Sequence, residues 1–396
     1  MEYRVNLALP AELNRFEDAG LNIAKCFNCG TCTAMCSLTE GERSFPRRMI
    51  RYAQLGLEDR LLESAEPWLC YYCGECSKTC PREAQPGELM MALRRWLTTK
   101  YDFTGLSRKL YLSHAWEAGL LAGVALVVLA LFLVPGWLGV PFGFAMVTGE
   151  AARHVRLDLF APKHVVHVAD WVLAAFLLFF LGVNAVRMIY YVRRGHRDRQ
   201  TRLSDWVGQA HQLVVHAATQ KHWRGCEKEE RRRWLFHFLL VSGYATMFLL
   251  VVAFLGAFQR DGADFHWTAL FGYYATAALL GVTLAFMRDR LKKQAEISKY
   301  SHVTDWMFLV LLFLTSLSGI LLHLARLLDL AWPTYVLYVA HLMIAVPMLV
   351  VEVPFGKWLH LVFRPVSEYL TAVAHASERR VVQKATARVV PATQRP

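Results

Sequence analysis

Eight cysteines in two short runs constrain this chain more than any other feature. Cys26, Cys29, Cys32 and Cys36 are followed by Cys70, Cys73, Cys76 and Cys80, with Pro81 behind the last. Each run reads C-x2-C-x2-C-x3-C, a spacing that wraps a cubane iron–sulfur cluster. Three thiolates two residues apart curl round one face of such a cluster, and the fourth ligand comes from elsewhere. In paired runs the fourth Cys usually ligates the other cluster. The expected sets are therefore Cys26, Cys29, Cys32 and Cys80 for one [4Fe-4S] centre, and Cys70, Cys73, Cys76 and Cys36 for the second. A zinc ribbon and a disulfide framework compete for the same residues. Zinc favours two C-x2-C pairs far apart, not four Cys packed into one short run. Disulfides need an oxidising compartment, and the sequence holds no signal that sends this segment there.

The rest of the chain is too apolar for a soluble protein of 396 residues. Its mean hydropathy is +0.27, with 55% hydrophobic and 19% charged residues. A soluble head of residues 1–105 on a membrane body fits this balance. The opening MEYRVNLALPAELNRFEDAG has no basic-flanked apolar core, so no cleaved leader is expected. Within the head, FPRRMIRYAQLGLEDRLLES spaces Met49, Ile50, Ala53, Leu57, Leu61 and Leu62 as a helix does, and PGELMMALRRWL opens like one. The expected class is all-α: a helical two-cluster ferredoxin domain, then a six-helix bundle over residues 106–360 and a basic tail over 361–396.

Six apolar runs have the length of a membrane span, at about 115–135, 165–192, 235–258, 267–287, 305–327 and 334–355. With the head on the cytoplasmic side, the loops on that side and the tail carry 23 Lys and Arg, while the outer loops carry only Arg153, Arg156, Lys163 and Arg260. Basic loops stay inside. The expected location is thus the inner membrane, multi-pass, with both the cluster domain and the C-terminus cytoplasmic. The net charge of +12 then belongs to topology and to lipid, and no nucleic-acid partner is expected. Trp137, Trp171, Trp267, Trp306, Trp332 and Trp358 all lie near span ends.

Histidines inside spans are costly, and neutral imidazole is the usual axial ligand of b-type haem. His237 opens the third span, His323 closes the fifth, His341 lies in the outer third of the sixth, and His360 at its inner end. The separation of His341 and His360 is about 28 Å of helix. One helix can therefore serve a haem near each membrane face, with His237 and His360 on the inner level and His323 and His341 on the outer. His114, His196, His266, His302 and His375 lie at span edges or in polar segments. The segment 205–233 carries His211, His216, His222 and Cys226, read as a basic interfacial helix or as a platform for a partner.

The last five spans resemble the cytochrome b subunit of respiratory nitrate reductase and its relatives in membrane-bound heterodisulfide reductases, on His237, His341 and the closing HLVFRPVSEYL. The resemblance implies that His237 and His360 hold one haem b and that His341 is one ligand of a second. The position of its other ligand falls on Met247. His323 is the first alternative, then His167 or His164, then Met247 or a five-coordinate iron. The family separates its two ligands on the last helix by five full turns. One residue more here, with Pro347 and Pro354 in the helix, predicts a kink or π-bulge near Ala345–Val353.

FNCGTCTAMC, FPRRMIRYAQLGLEDRL and WLCYYCGECSKTCPREAQPGELMMALR resemble the two-cluster subunit of heterodisulfide reductases. Fused head and body resemble the membrane subunit of quinone-interacting membrane-bound oxidoreductase complexes of sulfur metabolism. That resemblance implies electron exchange with menaquinone, flavin- and iron–sulfur-containing soluble partner subunits, and adenylylsulfate reductase beyond them. A subunit of a heterodisulfide-reductase-like or sulfite-reduction-linked complex, a membrane anchor and a redox sensor remain alternatives. A quinone pocket is expected on the outer side, where Glu150, Asp158, His167 and Asp170 gather, with Asp305 and Glu352 as the acids at the inner edges. The sequence holds no catalytic triad, nucleotide loop or flavin fingerprint, so substrate chemistry is expected in partner subunits.

Overall fold

The computed structural model describes residues 4–17, 23–39, 44–195, 201–220, 228–261, 264–294 and 296–389. His196, His222 and Cys226 fall outside them. Among the described residues every regular element is helical. Six helices are long and apolar enough to cross a membrane: His114–Trp137, Lys163–Arg194, Arg231–Val252, Ala269–Lys292, Val303–Leu327 and Ala331–Phe355. The chain is thus a multi-pass membrane protein with an all-helical plan. The third span ends earlier than its apolar run, because the helix breaks after Val252 and restarts as the single turn Leu255–Phe258.

The chain divides into two compact units. The first joins residues 1–105 with 182–231 and 359–396; the second holds 106–181 and 232–358. The first unit is built on the helix Pro86–Tyr101, whose Leu89, Met90, Leu93, Trp96, Leu97 and Tyr101 are buried. Its polar groups tie the loops down. Arg95 donates to the Phe16 carbonyl at 2.8 Å, and Arg94 to the Pro67 carbonyl at 2.7 Å and to the Cys70 carbonyl. The basic tail is not a free tail. Residues His360–Val389 form one helix, and its Phe363, fully buried, sits 4.8 Å from the Trp68 ring and 5.4 Å from Tyr101. Further along, Tyr369 donates to the Trp206 carbonyl and Arg380 pairs with Asp205 at 2.8 Å.

In the second unit the sixth span carries two devices. Its α-helix ends at Pro347 and continues as a π-helix over Met348–Glu352, within the stretch where the spacing of the histidines predicts one. The helix then stops at Gly356, so the expectation of one continuous helix from His341 to His360 does not hold. Pro354 has no N–H to continue the ladder, and the Gly356 backbone leaves the helical region. A side chain at 356 would meet the Glu352 carbonyl oxygen at 2.8 Å. His360 begins the next helix.

Candidate functional site

The two Cys runs fold as one repeat, 44 residues apart. In each, the residue before the second Cys (Asn28, Tyr72) and the glycine after it (Gly30, Gly74) have positive φ. The glycine then caps a single helical turn, Thr31–Ala34 or Glu75–Lys78, that carries the third Cys. Left-handed geometry is cheap only for glycine and tolerable for few others. The chain accepts it twice, at matching places, to curl three thiols round one point.

Electrostatics sorts the thiols across the runs. The thiols whose charge bears on Cys32 are those of Cys26, Cys29 and Cys80, the last from the other run. Those bearing most on Cys36 are Cys70 and Cys73. Cys76 feels Cys70, Cys73 and then Cys36. Burial pushes the Cys36 thiol up to about 11 and raises Cys76 and Cys32, while the side-chain hydrogen bond with Thr31 lowers the exposed Cys29. Buried thiols can ionise only beside compensating positive charge, which iron supplies. Backbone N–H groups already aim at two sulfurs: Tyr72 at Cys70 Sγ (3.3 Å) and Ala84 at Cys80 Sγ (3.4 Å). Among the described residues, no three His, Cys, Asp or Glu side chains converge as they would on a single ion.

Cations surround the second set. Arg94 gathers the carbonyls of Pro67, Trp68 and Cys70, and the Arg364 guanidinium lies 4.4 Å over the Tyr71 ring, one residue from Cys70. Neither arginine was visible as a site residue in the sequence. Each set holds one buried thiol, Cys32 in the first and Cys70 in the second, and Cys29 of the first is exposed with the exposed Phe27 two residues before it.

The second unit encloses a cavity of about 340 Å³. His341, His323 and Met247 all line it, with Asp170, Tyr273, Gly272, Thr315, Gly319 and Arg326. His341 is fixed by Ser318, whose Oγ meets its Nδ1 at 2.9 Å, which leaves Nε2 for a ligand. Gly319 gives the ring room; a methyl there would press on His341 Cε1 at 3.3 Å. His323 uses its Nε2 on the Tyr273 hydroxyl, 2.8 Å away. The size is in the range of ligand pockets and the lining is mostly apolar. Of the two imidazoles, His341 is the one whose Nε2 the described hydrogen bonds leave to a ligand. His167, in contrast, is exposed, accepts from Trp171 Nε1 at 3.2 Å and does not line the cavity; His164 is exposed too.

His237 lies half-buried in the third span, and His360 opens the terminal helix. Of the acids expected near a quinone, Glu150 pairs with Arg156 and Asp158 with Lys163, both at 3.1 Å, and only Asp170 reaches the cavity. Asp305 is held by Lys357 at 2.6 Å. His211 is exposed and His216 buried. Sequence reasoning also passed over Glu117, an acid inside the first span.

Comparison with known proteins covers the head alone. The family model "4Fe-4S dicluster domain" matches residues 22–84. A heterodisulfide reductase subunit-like protein of Archaeoglobus profundus is 36% identical over 83 residues, which are 21% of this chain and 44% of that protein. An iron–sulfur subunit of the CoB–CoM heterodisulfide reductase of Methanocaldococcus jannaschii is 33% identical over 93 residues, 24% of this chain and 50% of its own. A subunit of the ferredoxin:CoB–CoM heterodisulfide reductase of Methanosarcina mazei is 35% identical over 82 residues, 21% and 50%. The chain thus spans about half the length of these curated relatives. No solved structure matches it. What the cysteines, their repeat and these relatives establish together is an N-terminal 4Fe-4S dicluster domain related to the iron–sulfur subunit of heterodisulfide reductases, with an electron-transfer role, in a chain that continues into six apolar helices.

Proposed function

We propose that this chain is the membrane electron-transfer subunit of a quinone-linked oxidoreductase complex. It would join the menaquinone pool, through two b haems and two [4Fe-4S] clusters, to soluble flavin- and iron–sulfur-containing partner subunits and to adenylylsulfate reductase in dissimilatory sulfur metabolism. The observation that carries this reading is the sorting of the thiols. Cys26, Cys29, Cys32 and Cys80 would hold one cluster, and Cys70, Cys73, Cys76 and Cys36 the other. His341 and His323 would hold the outer haem and His237 and His360 the inner one; the shared cavity supports the first pair. Bound in these places, such groups supply one-electron carriers at spaced positions.

The chain's own residues give the order. The terminal helix starts at His360, and Phe363 and Arg364, within its first turns, rest on Trp68 and Tyr71 beside Cys70. Trp68 and Tyr71, either side of Cys70 in sequence, would set the second cluster beside the helix that opens with His360. Cys29 of the first set is exposed, as is Phe27 two residues before it, and together they would offer a soluble partner its contact. Asp170, which lines the mostly apolar His341 cavity, would exchange a quinone's proton.

The test is a reduced-minus-oxidised spectrum of the full chain in its membrane, with a menaquinol analogue as reductant. Two b-type signals and reduced clusters are expected. Clusters without haem would reduce the chain to an anchor or sensor and overturn the proposal.

A further inference from the structure

Two acids are buried at the end of the membrane unit where the chain enters from the head. Glu117, in the first turn of the first span, is fully buried; Glu352, the last residue of the π-helix, is 1% exposed. They come from opposite ends of the unit's sequence and meet carboxyl to carboxyl in space. Among the described residues no donor satisfies any of the four oxygens. Their surroundings are apolar: Leu110, Leu121, Val351 and Phe355 form one packed cluster with Phe176, Phe180 and Met307. A lone carboxylate in such a place is costly, and two facing carboxylates are worse. A proton between them removes both costs, because a protonated carboxyl donates to an ionised one.

Among the described residues no Lys or Arg hydrogen-bonds to either carboxyl. The flanking basic groups are spent on Asp305, which takes Lys357 at 2.6 Å and Arg290 at 3.9 Å. What does reach the pair is imidazole. His114 Nδ1 lies 3.9 Å from Glu117 Oε2, and its ring centroid is 6.1 Å from that of His302. His114 is half exposed at the rim, while His302 is buried against Tyr111. The groups facing the pair from the packed helices are thus His114 on its own helix, His302 and Asp305 on the fifth span, and Lys357 beyond the sixth. The π-helix places Glu352 here, and such single π turns recur at functional sites. Gly356 lets the carboxyl fold back, since a methyl at 356 would collide with Glu352 Oε2.

We propose that Glu117 and Glu352 are a proton-exchange site, loaded from head-side water through His114 as the membrane unit takes up an electron. The oxidised unit holds one proton between the two carboxyls. An electron passed from a reduced iron–sulfur cluster to the b haem proposed for this unit would add one negative charge to it. One proton from water then passes by way of His114 to the pair, which becomes doubly protonated and neutral. When that electron leaves for a quinone, the proton returns through His114 to water. The electron in this step rests on the electron-transfer reading above; the shared proton does not.

Infrared difference spectroscopy of the full chain tests it. In oxidised protein, a protonated-carboxyl C=O band is expected at neutral pH, shifted by carbon-13 glutamate and lost or moved in both Glu117→Gln and Glu352→Gln. On reduction the band should grow, with uptake of a proton seen by a pH-indicator dye; both changes should vanish in either variant while iron content is kept. A wild-type chain whose clusters reduce with no carboxyl change and no proton uptake overturns the proposal. If no electron enters the membrane unit, the electron-transfer reading fails instead. The oxidised-state band still decides the pair: absence of an isotope-sensitive glutamic acid signal refutes it, with no variant needed.

Discussion

The Arg364 guanidinium lies over the Tyr71 ring at 4.4 Å, joining the last helix of the chain to the residue after Cys70. A half-buried cation–π contact contributes about 1 kcal/mol. Arg364→Leu should lower head stability by about that amount and disturb the cluster held by Cys70 more than the one held by Cys26. Thermal loss of the cluster absorbance, repeated in a double-mutant cycle with Tyr71→Leu, checks this; additive effects would mean the pair is not coupled.

Cys80→Ala separates crossed from uncrossed ligation. Crossed ligation predicts loss of the cluster shared by Cys26, Cys29 and Cys32, with about half of the iron retained. Cys36→Ala should remove the other cluster. Electron paramagnetic resonance of the two variants should show complementary survivors, and identical survivors would refute the crossing.

His341→Ala should abolish one haem signal and stop reduction of the clusters by quinol. Ser318→Ala removes only the hydroxyl that holds His341 Nδ1. It should keep the haem and weaken its retention about 10-fold, as losses of such supporting groups do. Unchanged haem content in His341→Ala would remove that histidine from the site.

Acid should loosen the head through Glu58. Burial raises its carboxyl, but hydrogen bonds from Lys100 at 2.7 Å and Asn6 at 2.8 Å outweigh that and hold it below the usual range. A depressed folded-state value means the stabilisation is present above the unfolded value, about pH 4.3, and fades as pH falls through the lower one. Denaturant midpoints measured from neutral pH downward should therefore drop in the wild type, and drop less in Glu58→Gln.

Gly356→Ala forces a methyl against the Glu352 carbonyl and should cost about 2 kcal/mol. Melting of the detergent-solubilised chain reads this. A variant as stable as wild type would mean the turn relaxes freely.

The span-forming runs were legible because hydropathy over the length of a helix admits few alternatives. Cysteine spacing likewise announced the clusters, and the extra residue between His341 and His360 announced the π-helix. Other features depend on partners far away in sequence. The helix His360–Val389 reads as a basic tail because its buried aromatic Phe363 finds Trp68 and Tyr101 from the first hundred residues. The stop at Gly356 had a signal, Pro354 followed by glycine, that the pull of a continuous helix between two histidines outweighed. Glu117 had one too, an acid inside an apolar run, yet its meaning came only from Glu352. Ser318 and Tyr273 gain theirs from the imidazoles they touch.

The first unit is assembled from three stretches of chain, with membrane helices between them in sequence. A ribosome delivers those stretches in order, so the surface of Trp68, Tyr71 and Tyr101 waits uncovered until residues 359–396 emerge. Folding of the head is therefore finished only after the six membrane helices have been made. A truncated product ending near residue 105 would present that bare aromatic surface to chaperones and proteases. Quality control of this protein can in that way read synthesis of the helix that follows the membrane spans from the state of its first hundred residues.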